Sequence, residues 1–411
     1  PIVTGIPSAA ATAALGAGAA FQMALMVGVP PGIYIQTPFW GGIEVRFALL
    51  LAALLLGIGV AGGRAARSAV VPILLAIHVT LALWTVNASR PPRIDVYFWH
   101  VEAFRALANH ADPYAITMPN IYGSTQWYAP GLATYDRVLV GYPYPPLSLL
   151  LAWVGNFFGD YRYTNVLATT LAGAFMAYAR PGPLSVLAAS VFWFSPRLLF
   201  VLEQGWTEPQ VVLLLSFCTF AACRAPRLLP LALGLLLAVK QYTVFVLPLA
   251  FLLQRQRSAR AYVTLSFKAG LIALVVTLPW VVWNAHAFFD SVIAFQAKQP
   301  FRPDALSYLA WAAEKGKKLP PSMSFLMLVP AMALVLMRAP RTPSGFAGAA
   351  ALVYLSFFAF AKQAFCNYYI MIVGVLCCAG AVAAVHGPAY PTRKSHERDE
   401  HPRIDRIAQR V

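Results

Sequence analysis

A chain of 411 residues that is 59% hydrophobic and only 11% charged, with a mean hydropathy of +0.64, does not read as a soluble domain, in which about a quarter of the residues carry charge. The net charge of +16 would suggest nucleic acid in a soluble protein. Here the basic residues sit between apolar runs and in the tail, which is a membrane-orientation pattern and argues against a nucleic-acid partner.

In chain order, runs near the roughly 20 apolar residues that a bilayer span needs occur at 8–29, 46–63 and 69–87, before a long polar stretch. Further runs follow at 145–158, 161–178, 184–201, 209–223, 228–239, 242–253, 263–283, 321–337, 344–361 and 368–386. The expected fold class is all-α, a polytopic membrane protein of about 11–13 transmembrane or re-entrant helices. One integral domain would cover 1–386, with a long extracytoplasmic loop at 88–144 and a second at 284–320. The tail 387–411 reads as a disordered basic extension. The chain starts at Pro1 without a basic leader, so the first run reads as a retained span rather than a cleaved signal. Five cysteines, Cys218, Cys223, Cys366, Cys377 and Cys378, lie in or beside apolar runs without metal-ligand spacing, so no structural disulfide is expected.

Arg64, Arg67, Arg224, Arg227, Arg255 to Arg260, Arg338, Arg341 and the tail from Arg393 to Arg410 read as cytoplasmic. The Asp95 loop, Glu203 to Glu208, Lys240, the 284–320 loop and Lys362 to Asn367 then fall on the other face. One parity conflict remains. Three apolar runs between the Asp95 loop and Glu203 would put Glu203 on the cytoplasmic side, unless 145–158 is interfacial or re-entrant, or 184–201 is broken at Ser195-Pro196.

Charged side chains near a bilayer need a partner, water or a function. Asp95 stands at the exit of the third run beside Tyr97 and Trp99 and is the first candidate for catalysis. Glu102 and Arg105 share a helical face with it and equally suit a plain surface ion pair. His100 could relay a proton or simply sit at the surface. Asp112, before Pro113-Tyr114, suits either catalysis or a turn. Lys240-Gln241 and Lys362-Gln363 interrupt apolar stretches. A lysine at such a break can hold a phosphate by charge or can merely snorkel. Gln241, Gln363 and Asn367 would add neutral donors to phosphate or sugar oxygens. No Asp-x-Asp pair or histidine cluster offers a metal site, so neither metal nor another cofactor is expected.

Asp95 with Tyr97, Ala103 and Leu107, then Asp112-Pro113-Tyr114 and Tyr142-Pro143-Tyr144-Pro145-Pro146, resembles the first extracytoplasmic loop of the polyprenyl-phosphate-sugar-dependent glycosyltransferases of the GT-C superfamily. Ser195-Pro196, Glu203-Gln204-Gly205, Lys240 and Lys362-Gln363 with Asn367-Tyr368-Tyr369 are similar to patterns around glycosyltransferase family 87, which includes actinobacterial mannosyltransferases. Many relatives carry a Gly-Gln-Asn type sequence where this chain has Glu203-Gln204-Gly205-Trp206, a departure from the pattern.

The resemblance implies a multi-pass plasma-membrane enzyme with an extracytoplasmic site. Such an enzyme would move a hexose, mannose foremost, or a pentose from a polyprenyl phosphate donor to a hydroxyl of a glycolipid or glycan acceptor, with inversion. Asp95 matches the catalytic aspartate, with His100 and Asp112 as further catalytic candidates. Lys240, Lys362 and, more weakly, Arg105 would take the donor phosphate. Tyr97, Glu102, Tyr144, Glu203, Gln204, Gln241, Gln363, Asn367 and Tyr368 would line the substrate site. The alternative class is a multi-pass transporter or lipid-linked-sugar flippase, whose halves would be expected to carry matched interrupted helices.

Overall fold

The computed structural model describes residues 9–25, 28, 31–35, 43–195, 197–254 and 258–383. The tail 387–411, Arg255, Arg257 and Pro196, all used above, lie outside them. The described chain is helical apart from one two-residue antiparallel pair, Met118–Pro119 (β1) with Arg137–Val138 (β2), and isolated bridges.

Apart from those within 88–144 and 284–320, both expected as loops, the helices follow the apolar runs. They are α1 (Ala9–Leu25), α2 (Ile43–Ala61), α3 (Arg64–Ala88), α4 (Asp95–Ala108), α5 (Pro146–Phe157), α6 (Arg162–Ala179), α7 (Pro183–Trp193), α8 (Leu198–Gln204), α9 (Glu208–Arg224) and α10 (Leu229–Leu237). After a 3-10 turn at Gln241–Phe245 come α11 (Val246–Leu249), α12 (Ala259–Trp283), α13 (Ala285–Phe289), a π turn at Asp290–Ala294 and α14 (Phe295–Lys298). The chain then forms α15 (Tyr308–Glu314), α16 (Met323–Arg338), α17 (Pro343–Phe358) and α18 (Cys366–Ala381).

Among the described residues three helices, over Glu44–Ala61, Arg64–Ala88 and Ala259–Trp283, are long and apolar enough to cross a membrane. The third buries only Leu265 and Ala269 and turns Phe267, Val275 and Val282 outward, each at least 64% exposed. A helix that is apolar on its outer face needs an apolar surrounding.

Breaks in the helices have local causes. Pro146 opens α5 at a position where its missing N–H costs nothing, and just beyond the helix the chain turns at Gly159, whose φ is +94°. Lys240 is fully extended (φ −150°, ψ 150°), which separates α10 from the 3-10 turn that follows. This is the interruption that the lysine marks in sequence.

The flanks of α5 bear on the parity conflict. Tyr144, ahead of α5, and Tyr161, beyond it, lie around the same residue, His100. Tyr161 stacks on His100 at 4.3 Å and packs on Tyr97, while Tyr144 packs against His100 at 6.2 Å. Helix α5 therefore begins and ends at one end of the bundle, as an interfacial segment does. The adjoining ends of α3, α6 and α8 are tied there by Arg162, whose guanidinium donates to Ser89 Oγ at 2.9 Å and to the Glu203 carbonyl at 3.1 Å. Glu203 thus shares an end with the Asp95 loop.

Two apolar clusters result. The larger one is the helix bundle. The smaller caps one end and joins Trp99, Phe104, Tyr114, Met118, Tyr142 and Phe295 from α4, the 109–145 stretch and α14. The 284–320 region, expected as a loop, instead carries α13, α14 and α15.

Candidate active site

Helix α4 opens with Asp95, a carboxylate in the first turn where the helix dipole favours negative charge. Its Oδ1 accepts the Val96 N–H at 2.8 Å. The face carrying Val96, Trp99, His100, Ala103 and Phe104 is buried, at the i, i+3 and i+4 spacing of an amphipathic helix. Asp95, one turn before Trp99, lines a cavity of about 260 Å³ at the edge of the cap, together with Val96, Trp99 and Phe295.

The cavity brings together distant segments: Asp95 from α4, Tyr144, Glu208 from the start of α9, Lys240, Arg302 and Asn367. Gln299, Asp304, Gln363 and Tyr368 complete its polar wall, with Tyr122 and Trp206 as aromatic surfaces. Burial raises the Asp95 pKa above the ordinary carboxylate range, opposed by its backbone hydrogen bond and the positive charge of Arg302. A second chamber of about 630 Å³ adjoins this cavity and shares Tyr144, Lys240, Gln296, Gln299, Gln363 and Tyr368 with it. Phe245, Phe325, Phe357 and Phe358 make it largely apolar, and Lys362 lies in its wall.

Lys240 does not enter the cavity as a free ammonium. It pairs with Glu208 at 3.2 Å, both being at most 4% exposed, and its Nζ lies 3.7 Å from the centre of the Tyr144 ring. Glu208 also accepts Asn367 Nδ2 at 2.7 Å and Tyr242 OH at 3.3 Å. Lys362 Nζ donates to the Ala297 carbonyl at 2.9 Å. Gln363 donates to the Pro300 carbonyl and Gln241 to the carbonyls of Pro143 and Val292.

Other sequence candidates lie elsewhere. His100 is buried behind the cavity wall, with Nδ1 at 2.7 Å from the Val96 carbonyl and Nε2 at 2.9 Å from Tyr142 OH. Burial pushes its pKa down to about 3, so it is a neutral packing residue with both ring nitrogens engaged. Asp112 is a turn residue whose Oδ1 accepts the Tyr114 N–H at 2.9 Å. Arg105 pairs with Glu102 on the exposed face of α4. Tyr97 packs on Tyr161 and lies 5.7 Å from the Arg162 guanidinium.

Glu203 is fully buried and accepts the N–H groups of Ile33 and Tyr34 at 2.8 and 2.7 Å, and Gln204 donates to its Oε2 at 3.1 Å. Its carboxylate anchors the 31–35 segment and does not line the cavity. The expectation that His100, Asp112, Arg105, Tyr97, Glu102, Glu203 and Gln204 line the site is therefore corrected. Their polar atoms serve turns, surface pairs or packing.

Glu208, Asp304, Gln299 and Tyr122 are not among the sequence candidates, and Arg302 is a fallback position for the phosphate only. Glu208 carried a signal, because it opens an apolar run close to the Ser195-Pro196 break. Asp304 looks in sequence like an ordinary loop charge.

The 109–145 stretch that frames the cavity is held by close backbone approach. Tyr142 N–H donates to the Pro113 carbonyl at 2.9 Å, and a Cβ on Gly141 would sit 2.0 Å from the Tyr114 carbonyl oxygen. The Gly141→Ala change is expected to lower stability by about 1–3 kcal/mol through overpacking against backbone. A thermal midpoint equal to that of the parent protein would show that the two segments can separate without cost.

No protein-family model matches the chain, and neither does any curated protein or solved structure.

Proposed function

We propose that the chain is a polytopic glycosyltransferase of the plasma membrane. It moves a hexose, mannose foremost, or a pentose from a polyprenyl phosphate donor to a hydroxyl of a glycolipid or glycan acceptor on the extracytoplasmic face. The observation that carries this reading is the paired chamber. A polar cavity holding Asp95, Arg302 and several amide side chains adjoins an apolar chamber and shares a wall with it. A donor with a sugar, a phosphate and a prenyl chain has the same succession of chemistry.

In the reaction, the Asp95 carboxylate takes the proton of the acceptor hydroxyl as that oxygen attacks the anomeric carbon. The carbon–oxygen bond to phosphate breaks, and its electron pair leaves on the phosphate, which gains one negative charge beside the cavity cations. Attack on the face opposite the leaving group inverts the anomeric centre. The donor is already activated, so no nucleotide site is needed. Amides and aromatic rings around Asp95 suit sugar hydroxyls and sugar faces.

The test is transfer from a radiolabelled polyprenyl-phosphate sugar by the protein reconstituted in sealed vesicles of known orientation. Labelled glycolipid or glycan should form only where the Asp95 end faces the added acceptor. Passage of the labelled lipid across the bilayer with no new glycosidic product would overturn the enzyme reading in favour of a flippase.

A further inference from the structure

We propose that Arg302 is the anion-binding residue of the cavity and that Asp304 is a built-in competitor which the incoming anion displaces from the guanidinium. The nature of the anion, a prenyl-linked phosphate, rests on the proposed donor; the exchange itself rests on geometry.

Arg302 is fixed on every side but one. Its guanidinium lies 4.3 Å from the centre of the Trp127 ring and 5.3 Å from that of Phe365, which holds the plane by stacking and by attraction to the ring faces. Its backbone N–H donates to the Lys362 carbonyl at 3.0 Å. The residues after it are stitched to the same stretch by Leu306 N–H to the Ala364 carbonyl and Tyr308 N–H to the Ala359 carbonyl. The remaining edge is a two-pronged donor: Nε donates to Asp304 Oδ1 at 2.8 Å and Nη2 to Asp304 Oδ2 at 2.7 Å.

The two partners differ in how firmly they are held. The Arg302 side chain is 18% exposed, whereas that of Asp304 is 52% exposed. Asp304 can therefore swing into water and be solvated there, while Arg302 keeps its rings. A carboxylate and a phosphate present the same pair of oxygens to a guanidinium fork. An ion pair with one partner half in water contributes little, so the exchange is favourable when the anion is also held by the chamber walls. The Arg302 bond holds the Asp304 pKa below the ordinary carboxylate range, so the competitor is charged at neutral pH.

The other cations are less able to exchange. Lys240 has a partner, Glu208, that is buried with it, and separating such a pair leaves an uncompensated charge. Lys362 faces the apolar chamber and donates to a backbone carbonyl. Arg302 also lies close enough to Asp95 to bias its ionisation, so an anion on this fork is beside the proposed base.

The experiment is calorimetric titration of the purified full chain in detergent with farnesyl phosphate, with inorganic phosphate and farnesol as separate arms. Asp304→Asn should bind farnesyl phosphate about 5-fold more tightly than the parent. Arg302→Gln should bind it about 10- to 100-fold more weakly, and the double variant should be no tighter than Arg302→Gln alone. Farnesol binding should not change in any variant. In an Arg302→Lys background, which keeps the charge but not the fork, Asp304→Asn should give little of this gain.

The sign separates this role from a structural one, because a merely structural Asp304 would weaken binding when replaced. Unchanged or weaker binding by Asp304→Asn, or an equal gain in the Arg302→Gln background, would overturn the proposal. If inorganic phosphate shows the whole pattern and farnesyl phosphate binds no better than it, the exchange stands and the lipid-donor reading falls.

Discussion

Replacing Asp95 by Asn should lower sugar transfer by about 10²- to 10⁴-fold, the range lost with a general base, while the protein still folds. Asparagine keeps the size and the acceptor oxygen that meets the Val96 N–H but cannot take a proton. The pH profile sharpens the test. Burial raises the Asp95 pKa and Arg302 lowers it, with the first effect the larger. The carboxylate is the active form, so the rate should fall as the pH drops through that raised pKa, at a pH above the ordinary carboxylate range. Removing Arg302 takes away the opposing charge and should move this limb further up. Asp112→Asn should leave turnover near that of the parent, because Asp112 serves its own turn. Near-normal transfer by Asp95→Asn, or strong loss in Asp112→Asn alone, would sink the assignment.

The largest effect on stability is expected from Glu208. Its carboxylate holds the buried Lys240 ammonium, Asn367 Nδ2 and Tyr242 OH together. Glu208→Ala removes one half of a buried ion pair and should cost about 3–5 kcal/mol, because the ammonium is left without compensation. The double change Lys240→Met with Glu208→Leu removes both charges and should recover most of the thermal stability. It should not recover transfer, since the cavity loses the cation that lies against Tyr144. A Glu208→Ala protein that melts with the parent would mean that the pair is solvated. A double variant with full transfer would mean that Lys240 is only a packing residue.

Much of the architecture is legible along the chain. The helix at 263–283, the start of α5 at Pro146 and the interruption at Lys240 follow from apolar length, proline chemistry and one charged residue in an apolar stretch. Asp95, Tyr144, Lys240, Gln363, Asn367 and Tyr368 stand out as polar or aromatic residues at the edges of such stretches, and they do line one cavity. These signals are local, because a charge at the margin of an apolar run is unusual wherever the chain goes next.

What tertiary structure alone decides is which of these groups still has a free edge. His100 and Glu203 are site candidates in sequence beside Asp95, yet their polar atoms are used by Val96, Tyr142, Ile33 and Tyr34, partners as far as 170 residues away. In sequence Arg302 is only a fallback position and Asp304 an ordinary loop charge, until Trp127 and Phe365 close around the guanidinium from separate parts of the chain. Even the end at which Glu203 lies depends on α5 turning back beside His100. Apolar length and helix breaking are properties of consecutive residues, so sequence alone determines them. Hydrogen-bond occupancy and charge pairing depend on atoms brought together from remote segments, and only packing in three dimensions sets them.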